Sequence, residues 1–196
     1  MVIGCDKKPA EKFDTNTLET INRFCIELHL GDDYLDHLES ADIVIKSPGI
    51  KVSEPQIQKA ISDGKTVTSE IEIFMSLCPC KVIGVTGSDG KTTTTTLIYE
   101  MLKREGYRTH VGGNIGKPLL AQLESIYEED MVVLELSSFQ LQTMHLSPEI
   151  SVVTNISPNH LDYHADMQEY IDAKVNLFRY QKQEDVLIVN ADNDIT

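Results

Sequence analysis

Short apolar runs alternate with longer amphipathic segments along nearly the whole chain. Residues 81–85 (KVIGV) and 131–136 (MVVLEL) are apolar at successive positions, which predicts strands covered on both faces. Between such runs, apolar residues recur at helical spacing, as in residues 91–104 and 167–180. This alternation predicts an α/β fold with mostly parallel open sheets.

A break in this pattern divides the chain in two. A helix predicted over residues 70–78 ends at Pro79, and a new apolar run begins at Lys81. We therefore expect one domain over residues 1–78 and another over residues 79–196. The remaining predicted elements are strands at 42–46, 65–69, 108–111, 150–156 and 185–190 and helices at 54–64 and 118–126. Because the chain opens on a strand and stops directly after one, we expect it to be a fragment.

Composition narrows the class of protein. The 196 residues are 41% hydrophobic and 24% charged, as in an ordinary soluble globular chain, and the formal net charge is −14. Such an acidic balance argues against nucleic acid as a partner, since binding it relies on clustered Lys and Arg. No run approaches the roughly 18–20 apolar residues of a membrane span, and Met1 does not open a signal peptide. We expect a cytoplasmic protein, and we interpret Cys78 and Cys80 as reduced thiols because a second pair at zinc-ligand spacing is lacking.

A glycine-rich turn between a predicted strand and a predicted helix is the first candidate site. Residues 86–93 (TGSDGKTT) place Gly87, Ser88, Asp89 and Gly90 before Lys91, Thr92 and Thr93. Glycines let backbone N–H groups turn inward, the helix start is partly positive, and a lysine reaches terminal phosphates. The strict motif would need glycine at position 85, where valine stands, so a shorter TGxxGKT form remains. It predicts phosphate binding, with a capped surface turn as the alternative.

Two further signals follow apolar strands. Glu135 lies at the carboxyl end of residues 131–136, where an open parallel sheet lines its ligand crevice, so it is a candidate to share a Mg²⁺ ion with Thr92. A salt bridge at the strand end is the alternative. Residues 155–164 (NISPNHLDYH) carry His160 and Asp162 as candidate metal or phosphate groups, with an isolated surface histidine as the alternative. His164 is interpreted as an exposed neighbour.

The motifs taken together resemble the Mur ligases. They are VTGSDGKTT, GGNIG (residues 112–116), LELSSFQL (residues 134–141), NISPNHLD, SPGI (residues 47–50), TSEIEIF (residues 68–74) and VNADND near the end, with Tyr170 and Lys174 downstream. GGNIG and ELSSFQL favour the branch that adds D-glutamate to UDP-N-acetylmuramoyl-L-alanine in cytoplasmic peptidoglycan precursor synthesis. The resemblance implies a partial Rossmann-like UDP-substrate domain followed by a partial P-loop ATPase-type domain.

The resemblance also implies a reaction. The γ-phosphoryl group of ATP passes to the substrate carboxylate, giving an acyl phosphate that the amine of D-glutamate attacks. Lys91 would hold the phosphates, Thr92 and Glu135 the first Mg²⁺, and His160 and Lys174 a second Mg²⁺. The Lys174 amine is expected to be carbamylated by CO₂, which turns a cation into an anionic oxygen ligand, with a surface lysine as the alternative.

Substrate contacts are carried over in the same way. Asn114, Ser137 and Gln140 resemble contacts to the muramoyl substrate, Ser47, Pro48 and Gly49 a contact near its pyrophosphate, and Asp6 and Lys8 residues on the uridine side. The family's usual Asp-His appears here as Asn159-His160, which puts a role for the preceding carboxylate in doubt.

Alternatives remain open at this point. The family's first glycine-rich turn, the end of its ATPase domain and its carboxyl-terminal domain have no counterpart here, so we expect the chain by itself to be inactive. We also expect a monomer. Another Mur ligase, a folylpolyglutamate-synthase-like amide ligase and a non-catalytic nucleotide-binding module are the other hypotheses.

Overall fold

The computed structural model describes residues 1–159 and 163–196, and it divides them into two compact units. The first comprises Met1–Ile45 and Val52–Val67, and the second comprises Lys46–Lys51 and Thr68–Thr196. The second unit thus begins ahead of helix α3 (Glu70–Leu77). The division predicted at residues 78 and 79 stays a prediction.

The first unit contains two pairs of short strands and two helices. Its elements are β1 (Ile3–Asp6), α1 (Thr15–Phe24), β2 (Glu27–Leu30), β3 (Ile43–Ile45), α2 (Pro55–Ser62) and β4 (Thr66–Thr68). β1 pairs in parallel with β2, and β3 pairs with β4. Asp14 caps α1 by accepting from the Thr17 N–H, and Pro55 begins α2 because the first helical turn needs no N–H donor there. Its buried apolar core is small and consists of Leu35, Val44, Ile57 and Ala60.

The second unit is a five-stranded parallel sheet covered by helices. After α3 it contains β5 (Lys81–Thr86), α4 (Lys91–Arg104), β6 (Thr109–Gly113), β7 (Met131–Glu135), α5 (Ser138–Leu141), β8 (Ile150–Val153), α6 (Met167–Arg179) and β9 (Val186–Val189). The strand order is β6-β7-β5-β8-β9. The chain passes from β7 to β8 across β5, and ligands bind in the crevice at such a switch. The α/β prediction with mostly parallel sheets is confirmed.

The two faces of this sheet have separate cores. Ile83, Val85 and Val133 pack on one face against Ile98 and Leu102 of α4. On the other face, Val82, Val132 and Leu134 join the larger cluster that includes Phe74, Leu141 and Leu177. Neighbouring strand residues point to opposite faces, so a continuous apolar run supplies both cores. The interpretation of residues 81–85 and 131–136 as doubly covered strands is confirmed.

One predicted helix differs from the structure. Residues 118–126, expected to be α-helical, form a 3₁₀ segment over Leu120–Ser125 without a side-chain hydrogen bond at its start. Pro118 and the glycines before it leave little length for an α-helix, and 3₁₀ turns serve as short connectors.

Candidate functional site

The loop after β5 is shaped by two glycines in backbone conformations that suit no other residue well. Gly87 has φ 155° and Gly90 has φ 78°. A Cβ at Gly87 would collide with the Thr154 Oγ1, whereas one at Gly90 would meet open space. Gly90 caps α4, so the loop ends where the unpaired N–H groups of the first helical turn point outward. This is the strand-turn-helix arrangement that the motif predicts.

The loop is fastened to the segment that follows β8. The Ser88 N–H donates to the Asn155 carbonyl oxygen over 2.9 Å, and the Asp89 N–H donates to Asn155 Oδ1 over 3.0 Å. The Thr154 hydroxyl donates to the Asp89 carbonyl oxygen over 2.6 Å. These bonds join the carboxyl ends of the two neighbouring strands β5 and β8 and fix the loop before any ligand arrives.

Lys91 folds back over the loop. Its Nζ donates to the carbonyl oxygens of Gly87 and Ser88, each over 3.0 Å. The ammonium therefore lies directly beside the loop backbone at the start of α4. A cation in this position can bind the outer phosphates of a nucleotide.

Thr92, Glu135 and Asn114 form a hydrogen-bonded group at the end of β7. The Thr92 hydroxyl donates to Glu135 Oε2 over 2.7 Å, and Asn114 Nδ2 donates to Glu135 Oε1 over 2.8 Å. The Glu135 residue is only 1% exposed, and both bonds come from neutral groups. A buried carboxylate beside a hydroxyl is a hard oxygen donor set that fits Mg²⁺. Among residues 1–159 and 163–196, no basic side chain forms the salt bridge with Glu135 that was the alternative.

Lys174 lies on the inner face of α6 against the same loop. Its residue is 2% exposed, and its Nζ donates to the Gly87 carbonyl oxygen over 2.8 Å and lies 3.4 Å from the Thr86 Oγ1. Burial, reinforced by the charge of Lys91, lowers the pKa of Lys174 from 10.5 to about 7. The surface-lysine alternative is therefore wrong.

Ser137 and Gln140 bond to each other at the start of α5. The Ser137 N–H and hydroxyl both donate to Gln140 Oε1 over 3.0 Å, and the Gln140 N–H donates back to Ser137 Oγ over 3.3 Å. This capping box holds both side chains at the carboxyl end of β7, directly after Glu135.

The Ser47–Pro48–Gly49 segment is held by two side chains of the second unit. Lys46 Nζ donates to the carbonyl oxygens of Ser47 and Ile50 over 3.2 and 2.7 Å, and the Tyr163 hydroxyl lies 3.2 and 3.1 Å from the carbonyl oxygens of Pro48 and Ile50. Burial lowers the pKa of Lys46 to about 8. The segment is thus a constrained turn.

The predicted uridine-side residues lie in the first unit. Asp6 ends β1, and its Oδ1 accepts the Lys8 N–H over 2.7 Å. The Lys8 ammonium lies 4.3 Å from the centre of the Phe13 ring. Both residues are exposed at the carboxyl end of a parallel strand.

The predictions for the two histidines of residues 155–164 compare differently with the structure. His160 and Asp162 lie outside the described residues. His164 is 2% exposed, so its interpretation as an exposed neighbour is wrong. Its Nε2 lies 2.9 Å from the Ser138 Oγ, and its ring packs against Phe139 and Tyr170, because the adjoining helices α5 and α6 close over it.

Sequence reasoning missed part of the loop's support. The Tyr170 hydroxyl lies 2.9 Å from Ser88 Oγ, which also donates to the Ser157 carbonyl oxygen over 2.9 Å. Tyr170 precedes Lys174 by one helical turn, so the spacing on α6 contains the signal that both face the loop. No spacing rule points to Ser157, since its contact with Ser88 exists only after β5 and β8 pair.

Two negative findings concern the described part of the chain only. In residues 1–159 and 163–196, no three His, Cys, Asp or Glu side chains converge as a metal site. Across the same residues, none of the helices has the length and apolarity needed to cross a membrane.

The fold and the loop define an α/β protein of the P-loop type, with a strand-turn-helix loop at the carboxyl edge of its parallel sheet. Residues 85–196 match the model of the Mur ligase middle domain, and residues 6–69 match that of the MurD-like N-terminal domain of Mur ligases. The chain belongs to the Mur ligase family.

Relatives support this assignment along the whole chain. The UDP-N-acetylmuramoylalanine–D-glutamate ligase of Clostridium botulinum (strain Hall) is 54% identical over 195 residues, covering 100% of this chain and 42% of that protein. The ligase of the same name from Acetivibrio thermocellus is 54% identical over 198 residues, covering 99% of this chain and 42% of its own length. The chain thus spans less than half the length of these relatives.

Solved structures support the fold. The Neisseria meningitides UDP-N-acetylmuramate:L-alanyl-gamma-D-glutamyl-meso-diaminopimelate ligase has a TM-score of 0.56 at 21% identity, covering 98% of this chain and 64% of that chain. The Thermotoga maritima UDP-N-acetylmuramate-alanine ligase has a TM-score of 0.52 at 22% identity, covering 94% and 43%.

Proposed function

We propose that this chain supplies the ATP-phosphate-binding and UDP-substrate-binding parts of an ATP-dependent ligase. That ligase joins D-glutamate to UDP-N-acetylmuramoyl-L-alanine through an acyl phosphate. The observation that carries the proposal is the group of Lys91, Thr92, Glu135 and Lys174 around one loop. A simple nucleotide-binding module uses a lysine, a hydroxyl and a carboxylate to hold one Mg²⁺ ion and the phosphates. It needs no second metal site, which is what His160 and the buried Lys174 would add. The identity to relatives of that name supports the choice of substrates.

The protein's task in this reaction is electrostatic, since negative charge gathers on phosphoryl oxygens between two anionic substrates. Lys91 would leave the carbonyl oxygens of Gly87 and Ser88 and bind the outer phosphates. The N–H groups of Thr92 and Thr93, in the first turn of α4, have no carbonyl partner within the helix and would donate to the same phosphates. Gly87, Ser88, Asp89 and Gly90 supply the turn that carries these donors.

Two Mg²⁺ ions are part of the proposal. Thr92 and Glu135 would hold the first, and His160 with Lys174 the second. The ions would neutralise the phosphate charge when bound. Glu135 accepts hydrogen bonds from two neutral donors and forms no bond to a cationic group among the described residues, so its carboxylate charge would be available to a divalent cation.

Carbamylation of Lys174 is proposed on its setting. The amine nitrogen bonds to the carbon of CO₂ and loses a proton, which leaves an anionic carbamate. Only the neutral amine reacts, and burial beside Lys91 favours that form by lowering the pKa of Lys174 to about 7. Equilibrating the full-length protein with ¹³C-bicarbonate should give a carbamate carbon signal that Lys174→Arg removes and Lys182→Arg, at an exposed position, retains. A signal that persists without Lys174 would refute the assignment.

Substrate contacts are proposed at three places. Asn114, Ser137 and Gln140 would contact the muramoyl portion, since all three lie directly around Glu135 at the sheet edge. Ser47–Pro48–Gly49 would contact the pyrophosphate through its constrained backbone. Asp6 and Lys8 would contact the uridine side. A cytoplasmic monomer is the proposed setting.

Phosphate release tests the function. The full-length protein is given UDP-N-acetylmuramoyl-L-alanine, ATP and single amino acids while phosphate is measured. Release that depends on D-glutamate supports the proposal, and dependence on another amino acid would identify a different amide ligase. Release that is indifferent to every amino acid would leave only a nucleotide-binding or hydrolysing module.

A further inference from the structure

Cys78 and Cys80 bring their sulfur atoms together at the join between α3 and β5. The two Sγ atoms lie 3.7 Å apart, and Cys78 Sγ also lies 3.7 Å from the Cys80 carbonyl oxygen. Neither thiol takes part in the phosphate site. They flank Pro79, so their approach is set by the backbone of a three-residue connection.

The backbone holds this approach from both sides. Cys78 ends α3 in an extended conformation (φ −63°, ψ 124°), as the residue before a proline prefers. Directly after Cys80, β5 begins with Lys81, and the Val82 N–H donates to Glu149 Oε2 over 2.9 Å. Since helix and strand are both packed in the core, the two sulfur atoms stay neighbours without cost in chain entropy.

The two thiols differ in access. Cys80 is 6% exposed and belongs to the core cluster, whereas Cys78 is half-buried at its edge. Burial, followed by the neighbouring Cys78, raises the pKa of the Cys80 thiol to about 12. Reactivity follows the thiolate and its access, so an attacking reagent meets Cys78 first.

We propose that Cys78 and Cys80 form a dithiol site that reacts with small disulfides and closes reversibly to an intramolecular disulfide around Pro79. The Cys78 thiolate attacks one sulfur of the reagent, whose S–S bond breaks and releases one thiol, which takes up the proton that Cys78 loses. Cys80 then attacks the Cys78 sulfur of the mixed disulfide and releases the second thiol, to which its own proton passes. Two protein thiols are oxidised by two electrons, and one small disulfide is reduced to two thiols.

Tryptic mapping of the folded protein tests the site. Glutathione disulfide is the probe, free thiols are blocked with N-ethylmaleimide, and cleavage places both cysteines in the peptide of residues 66–81. Cys5 and Cys25 fall in the separate peptides 1–7 and 24–46 and serve as internal controls. The expected product is a 66–81 peptide about 2 Da lighter than the reduced form and without maleimide, which dithiothreitol returns to the reduced form.

Single variants test the order of attack. Cys80→Ala should stop at one glutathione adduct on Cys78. Cys78→Ala should add glutathione to Cys80 more slowly than Cys80→Ala adds it to Cys78, by a factor on the order of ten or more. In urea this difference should disappear, because both thiols are then exposed. If a variant fails to fold, fragment ions of the wild-type peptide after brief exposure still show which cysteine carries the first adduct.

Three outcomes would overturn the proposal. They are a 66–81 peptide that keeps two maleimide groups after prolonged exposure, a first adduct on Cys80, and a disulfide that joins residue 78 or 80 to Cys5 or Cys25 instead. None of these readings depends on ATP, on D-glutamate or on ligase activity. A failure of the dithiol proposal can therefore be distinguished from a failure of the proposed function.

Discussion

Lys174 is a lysine in an unusual environment, because its side chain is buried beside a second ammonium group. A folded-state pKa of about 7 against an ordinary value of 10.5 means that the unfolded chain binds this proton more tightly. The free energy of unfolding should therefore rise as the pH increases from about 7 to about 10, because the folded state then loses the buried charge while the unfolded chain stays protonated. Below pH 7 Lys174 is charged in both states, and burying that charge lowers the free energy of unfolding.

Replacing this lysine with methionine should remove that pH dependence. In CO₂-free buffer, Lys174→Met should gain stability relative to wild type at pH 6, by an amount on the order of a few kcal/mol, and the gain should shrink toward pH 9. Urea unfolding at several pH values measures this, with the exposed Lys182→Met as the control. An equal difference at every pH would contradict the shifted pKa.

Glu135 gives a second prediction at the residue scale. Glu135→Gln keeps an oxygen near Thr92 but removes the negative charge that a divalent cation needs. We expect the full-length variant to lose roughly 10–100-fold in affinity for ATP with Mg²⁺ and little for ATP with EDTA. Calorimetric titration measures both, and Glu100→Gln on the exposed side of α4 is the matched control. An equal loss with and without Mg²⁺ would argue that Glu135 is not a metal ligand.

Single residues show both what the sequence predicts and where it stops. Lys91 and Thr92 were placed from one motif, and Glu135 from its position at the end of an apolar run, because both rules are local. The burial of His164 was not predictable, since it depends on α5 and α6 closing over the ring. The five consecutive threonines at positions 92–96 show the same limit. Thr95 is buried while Thr96 is exposed, and only the position of the sheet under α4 decides between them.

At the scale of elements, a glycine allows the carboxyl ends of β6 and β7 to lie close together. Gly113 ends β6 with φ 90°, and a Cβ there would collide with the Glu135 carbonyl oxygen. Gly90, with φ 78°, has open space around the same position. An L-residue would have an unfavourable backbone conformation at either position, but only at Gly113 would its Cβ also collide with neighbouring backbone.

Alanine substitutions at these two positions form a matched pair. Gly90→Ala should cost about 1–2 kcal/mol of unfolding free energy from backbone strain alone. Gly113→Ala should cost at least about 1–3 kcal/mol more, because strand backbone must shift to accommodate the methyl group. Urea unfolding without nucleotide compares them, and equal losses would mean that β6 and β7 adapt freely.

Element boundaries were predicted with uneven success for physical reasons. α4 has the predicted bounds because Gly90 begins it and Gly106, with φ 93°, follows its end. The segment Leu120–Ser125 lacks such signals and becomes a 3₁₀ helix. Strand order was not predictable, since apolar runs indicate burial but not which strand lies beside which.

At the scale of the whole molecule, the two units differ in how much core they bury. The first has a few buried apolar side chains, and its β3 leaves Ile43 and Ile45 about 60% exposed. The second encloses a sheet with a core on each face. Local stability follows buried apolar contacts, so the units should not unfold together.

Hydrogen exchange should resolve this difference. Backbone amides of β1, β2 and α1 should exchange at lower urea concentrations than those of β5, β7 and β8. Mass spectrometry of peptides from each unit follows both transitions in one sample. A single transition shared by all peptides would show that the chain unfolds as one cooperative body.

Residues 46–51 limit how the second unit can be expressed separately from the first. They sit between stretches of the first unit in the sequence, yet they belong to the second, where Tyr163 and Lys46 hold their carbonyl oxygens. A truncation that starts at residue 68 or 79 discards this turn and leaves Tyr163 without two of its acceptors. No single cut yields the second unit intact, so cloning it alone calls for a circular permutation or a tethered peptide.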